Sequence, residues 1–175
     1  YSKMILPIVG YGDPVLRKMC EEISPEYPNL KDLIANMYDT MYNAYGVGLA
    51  APQVGLPIRL FVIDTKPFGE DEDLEKEEQD QLKNFRETFI NAKMIKEEGE
   101  EWGFNEGCLS IPDVREDVYR NETITIEGKK YQFRQQGIRE LEDYDSFEKR
   151  YLKYYYPDYK VVRTVVLYGS REERI

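Results

Sequence analysis

Leu30, Leu33, Ile34, Met37, Tyr38, Met41 and Tyr42 follow one another at spacings of three and four. That period places all seven on one side of an α-helix. Asn29 stands where an N-cap side chain would accept a hydrogen bond from the first turn, and Asp32 suits the positive end of the helix. Gly46 offers a stop. A helix with so long an apolar stripe must bury it against a second layer. The sequence supplies strands for that layer: "IRLFVID" (58–64) reads as a buried strand and "TFINAKMI" (88–95) as another. "TITIEGKKYQF" (123–133) alternates on both sides of Glu127, Gly128 and Lys129 and reads as a short hairpin.

Ile138, Leu141, Tyr144, Tyr151, Leu152 and Tyr155 are spaced for a second helix, stopped by Pro157, and residues 159–169 read as a last strand. Residues 4–27 are punctuated by Pro and Gly and read as extended or irregular. The run "FGEDEDLEKEEQDQLKNF" (68–85) reads as an acidic, solvated loop or exposed helical turn. Long helices with several antiparallel strands predict an α+β fold. No repeat or linker divides the chain, so residues 4–175 are expected to form a single domain.

A formal net charge of −10 argues against a nucleic-acid surface, which needs a basic stripe. No stretch reaches the roughly 18 apolar residues of a membrane span. Cys20 and Cys108 are too few for a disulfide framework, which points to a reduced, cytoplasmic protein.

Two short motifs carry the chemistry. In "GVGLAAPQ" (46–53), glycines bracket Val47 directly after the first helix. Glycine permits positive φ and close approach of backbone to a ligand. Gln53 brings a neutral amide able to donate to a developing oxyanion. Taken alone, the motif is equally a helix stop followed by a turn. In "EGCLS" (106–110), Cys108 reads as a buried small hydrophobe, a nucleophile or a thiolate metal ligand. A nucleophilic cysteine usually has a histidine beside it, and the 175 residues contain none, so the ligand reading leads the nucleophile reading.

Taken together, "GVGLAAPQ" and "EGCLS" resemble the motifs of peptide deformylase. "ILPIVGYGDPVLRK" near the start, "GLPIRLFVID", "FINAKMI" and "EEWGFNEGCLSIPDVREDVYRNETITI" agree, so the resemblance spans roughly residues 4–126. It implies antiparallel strands packed around a central C-terminal helix. The activity it implies is hydrolytic removal of the N-formyl group from the formyl-methionine of nascent polypeptides. It also implies a divalent metal (Fe2+, or Ni, Co or Zn) held by the motif cysteine and by two histidines of a helical HExxH, whose Glu moves the proton. Carried over by motif position, the metal thiolate falls on Cys108. The oxyanion donors fall on the Gln53 amide and the Leu109 backbone N–H, and backbone hydrogen bonds to an extended formyl-methionyl peptide fall on Val47 and Gly48.

The third motif departs from the family. Its place is taken by "GIRELEDYDSFEKRYLKYYYPDY", and residues 132–175 are atypical as a whole. "EDYDS" (142–146) distantly echoes HEYDH, with Glu142 and Ser146 at the two histidine positions. Glu142 and Asp145 could offer oxygen ligands, or they face solvent and pair locally, as Asp145 would with Lys149. Tyr45 stands where the family has a histidine before the first glycine. The expectation is therefore a deformylase-like chain with impaired catalysis. The alternative is a non-catalytic formyl-peptide-binding or scaffold protein on the same fold.

Overall fold

The computed structural model describes residues 3–24 and 26–126, with the backbone of Lys129–Arg134 and Gly137–Glu140. The stripe that begins at Leu30 forms helix α1 (Leu30–Asn43), which buries Leu30, Ile34, Met37, Tyr38 and Met41. Asn29 precedes it as expected but does not cap it with its side chain: its backbone is left-handed, with φ at 54°. Asparagine tolerates that conformation. The helix closes through Gly46, whose N–H donates to Met41 O at 2.9 Å.

Strands β1 (Gly48–Ala50), β2 (Leu60–Asp64) and β3 (Arg86–Ile90) form an antiparallel sheet in that order. Alternation along β2 decides what each face covers. Leu60 and Val62 join Leu49, Ile90 and the α1 stripe in the main core. Ile63 and Phe61 turn to the opposite face, where Phe89, Ile124 and Ile126 complete a second cluster. Phe61 and Phe89 stack there at 4.6 Å between ring centroids.

The strand expected over 88–95 is interrupted. Asn91 takes φ 54° and ends β3, and the chain re-enters a second sheet as β4 (Met94–Cys108). That strand pairs with β5 (Ile111–Ile126) in a long hairpin with register shifts along it. The short hairpin foreseen near Gly128 is present as β5 against β6 (Lys129–Arg134), with Ile126 opposite Lys129. The helix expected from Ile138 does not start there. Gly137–Glu140 pair with β6 as strand β7. The expected central C-terminal helix beyond it, Pro157 and the strand foreseen at 159–169 lie outside the described residues.

The acidic run also departs from expectation. It holds a helix, α2 (Lys76–Lys83), and a small core of Phe68, Leu74 and Leu82, against which Val47 packs. Its charges remain mostly outward, but three apolar residues among them are enough to fix a subdomain edge. Gly69 is needed there, since a Cβ would lie 2.7 Å from Gln79 O in α2. Cys20 and Cys108 are both free thiols. Among the described residues no helix is long and apolar enough to cross a membrane.

Candidate active site at the hairpin tip

Cys108 ends β4, opposite Ile111 across the Leu109–Ser110 turn, so the β4–β5 hairpin delivers its thiol to an exposed tip. Gln53 comes from a different place. It lies in the 3-10 turn Ala51–Val54, which Pro52 helps to start. Its Oε1 accepts from Ala50 N at 2.9 Å, which fixes the amide orientation and leaves Nε2 as the donor. That Nε2 points at Ser110 Oγ (3.4 Å) and Cys108 Sγ (3.7 Å). The N-terminal segment fastens the two motifs together: Val9 N donates to Gln53 O at 2.9 Å and Tyr11 N to Ser110 O at 2.7 Å.

Leu109 is half-buried against the main core. It also explains Gly46, where a Cβ would sit 2.7 Å from Leu109 Cδ1. The positive φ expected of a motif glycine belongs instead to Tyr45, at 55°, and Tyr45 is 90% exposed. Gly46 therefore serves close approach rather than backbone handedness.

Gly48 opens β1, an edge strand among the described residues, and Val47 directly precedes it. Asp64 N donates to Val47 O at 2.9 Å, so that carbonyl is engaged with β2. Alternation in an antiparallel ladder then turns the N–H and C=O of Gly48 toward the open edge.

Glu106 is the residue that sequence reasoning passed over, having quoted it only as a flank of Cys108. Its side chain is 11% exposed and is gripped by Arg120, with Nε to Oε1 at 2.9 Å and Nη2 to Oε2 at 3.2 Å. Burial pushes its carboxyl above the usual range, and the Arg120 hydrogen bond and charge only partly offset this. A neighbouring cross-strand set stiffens the same hairpin: Arg115 Nε donates to Asn105 Oδ1 at 2.5 Å, and Asn105 Nδ2 to Asp117 Oδ1 at 2.8 Å. The available signal was the pair of basic residues Arg115 and Arg120 downstream of an acidic motif.

A carboxyl raised in the folded state favours the protonated form there. Its stabilising contribution is complete below the unfolded pKa, roughly 4.3, and is lost as pH rises through the higher folded value. Glu106→Gln keeps an acceptor for Arg120 and removes the titration. Urea midpoints at pH 4 and pH 6 are therefore expected to shift in the variant's favour at the higher pH. A difference between the two proteins that stays constant with pH would remove Glu106 as the cause.

The tip thus assembles a thiol, a hydroxyl and an oriented carboxamide beside an open strand edge. The fold that carries it is α+β, with two antiparallel sheets and helix α1 packed on the first. The polypeptide deformylase family model matches residues 5–147, past the limit at residue 126 read from the motifs. A peptide deformylase of Flavobacterium johnsoniae is 67% identical over 153 residues, covering 87% of this chain and 76% of that protein. Among solved structures, the Met-Ala-Ser-bound class I type b peptide deformylase of Acinetobacter baumannii superposes with a TM-score of 0.61 at 26% identity, covering 80% of this chain and 84% of that one. A Synechococcus elongatus peptide deformylase in complex with actinonin gives 0.57 at 30% identity, covering 85% and 73%. The chain belongs to the polypeptide deformylase family.

The family implies a divalent metal, and the donors around Cys108 can be tested against it. Catalytic metal centres of this kind need three protein ligands with one position open. The side chains that Gln53 Nε2 meets at the tip are the Cys108 thiol and the Ser110 hydroxyl. Among the described residues no three His, Cys, Asp or Glu side chains converge. Within the described residues the tip therefore brings one thiolate and one hydroxyl toward such a centre. Glu142, Asp145 and Ser146 lie outside the described residues.

Proposed function

We propose that this chain is a deformylase-fold protein that receives the formyl-methionyl end of a nascent polypeptide along the β1 edge and hydrolyses it poorly. Residues 4–175 act as one domain in this reading, in the cytoplasm, with no nucleic-acid or membrane partner. The observation that carries it is the orientation of Gln53. Its Oε1 is engaged by Ala50, so Nε2 is held as a donor beside Cys108 and Ser110. A formyl oxygen at that point would accept from Gln53 Nε2 and from the Leu109 backbone N–H. The peptide beyond it would add as a strand to Gly48, with the Val47 region shaping the edge. The Met-Ala-Ser-bound relative supports a tripeptide of that kind as the ligand. What supports impaired hydrolysis is the absence of histidine from the 175 residues, since one thiolate does not hold a divalent ion against water.

A second reading keeps the hydrolysis, and the 67% identity to a protein named peptide deformylase favours it. In that case oxygen ligands such as Glu142 and Asp145 would stand in for the two histidines.

One experiment separates the two. Protein prepared without oxygen and supplied with nickel is given N-formyl-Met-Ala-Ser, with calorimetry reading binding and a coupled assay reading formate. The Flavobacterium johnsoniae enzyme is run alongside. Saturable binding with formate release far below that enzyme is expected. Comparable turnover would establish the second reading, and no binding would discard both.

A further inference from the structure

A side-chain cluster away from the tip has no part in the chemistry above, yet it grips the loop that leads into the peptide edge. Asp64 closes β2 and is only 7% exposed. Its Oδ2 accepts from Tyr42 Oη at 2.6 Å, and its Oδ1 accepts from Lys66 N at 2.9 Å. Arg86 Nε donates to the same Tyr42 hydroxyl at 3.0 Å, and its guanidinium lies 3.7 Å over the Tyr38 ring. The backbone of Asp64 is used as well, since its N–H holds Val47 O at 2.9 Å.

One residue therefore pins both ends of a short loop. Tyr42 lies in the last turn of α1, Val47 directly precedes the edge strand β1, and between them lie the left-handed Tyr45 and the Gly46 that packs on Leu109. The pinning is stiff on both sides. The carboxylate is nearly buried, so its hydrogen bond with Tyr42 is charge-assisted and little screened by water. The other anchor is a ladder bond of the sheet.

We propose that Asp64 and Tyr42 are positioning residues for peptide binding, holding residues 43–47 so that Gly48 and Leu109 present their backbone groups in register to an incoming chain. This rests on the peptide-binding reading above. Neither side chain touches the peptide; both act through the loop.

The test uses Tyr42→Phe, which removes one hydroxyl and keeps the ring stacked on Tyr38, with the exposed Tyr119→Phe as control. Two readouts are taken on the full chain: amide hydrogen exchange, and calorimetric affinity for N-formyl-Met-Ala-Ser. Loss of a hydrogen bond to a charged group corresponds to about tenfold. Exchange at the Gly46 and Asp64 amides is expected to rise about that much in Tyr42→Phe while Phe89 keeps its protection. Peptide affinity is expected to fall about tenfold. Tyr119→Phe is expected to change neither.

Unchanged exchange at both amides would overturn the proposal. So would faster exchange with unaltered affinity. If the unsubstituted protein binds no formyl peptide, the peptide-binding reading fails and the positioning role in binding fails with it. The exchange data would then report the loop anchoring alone, which keeps the two failures apart.

Discussion

Phe89→Ala is expected to lower the free energy of unfolding by about 3–5 kcal/mol. Phe89 is fully buried at 0% exposure and stacks on Phe61 with an interplanar angle of 8°. Together with Ile63 and Phe61 it is where the first sheet meets Ile124 and Ile126 of the long hairpin. Truncation removes the transfer energy of the ring and leaves a cavity walled by β-strands, which relax little. The hairpin base loosens with it, although Cys108 lies at the other end. Urea denaturation followed by tryptophan fluorescence reads the change, because Trp102 is on β4 of that hairpin. A loss under about 1 kcal/mol would mean that Ile63 and Phe61, rather than this ring, carry the contact between the sheets.

Asn91→Ala is expected to cost about 2–4 kcal/mol, from two sources that a second variant separates. Its side chain accepts from Ile23 N at 2.7 Å and donates to Ile23 O at 3.0 Å, stitching the N-terminal segment to the end of β3. Ile23 is 2% exposed, so water cannot readily replace those bonds. The backbone of Asn91 is also left-handed, which alanine resists by about 1–2 kcal/mol. Asn91→Gly relieves the backbone term and loses only the hydrogen bonds. It should therefore be the less damaged of the two by denaturant midpoint. Equal losses would mean that the side-chain bonds alone hold the bend.

Local pattern made some of this fold legible in the sequence and left the rest to distant partners. The α1 stripe was readable because it depends on spacing alone, and residues 58–64 because they are continuously apolar. Asn91 was not readable inside "TFINAKMI", since its left-handed turn is set by a partner, Ile23, 68 residues away. Phe68, Leu74 and Leu82 disappeared into an acidic run, because three apolar residues cannot raise a local average that charges dominate. Ile138 carried helical spacing, but at Gly137–Glu140 a partner strand settled the conformation.

The site was legible in another way. Nothing in the spacing of Gln53 and Cys108 required them to meet; family resemblance brought them together on paper, and the Gln53–Cys108 approach of 3.7 Å brings them together in space. Arg120 on Glu106 and Tyr42 on Asp64 are cross-element pairs with no local pattern to announce them.

Whether the Cys108 tip holds a metal ion decides between the two readings of this chain. The direct measurement is metal stoichiometry per chain on protein purified without oxygen in ferrous or nickel ion, with Cys108→Ser measured in parallel. A content well below one ion per chain, unchanged by the substitution, is expected. Close to one ion per chain, abolished by Cys108→Ser, would contradict it and place oxygen ligands where the family uses histidine.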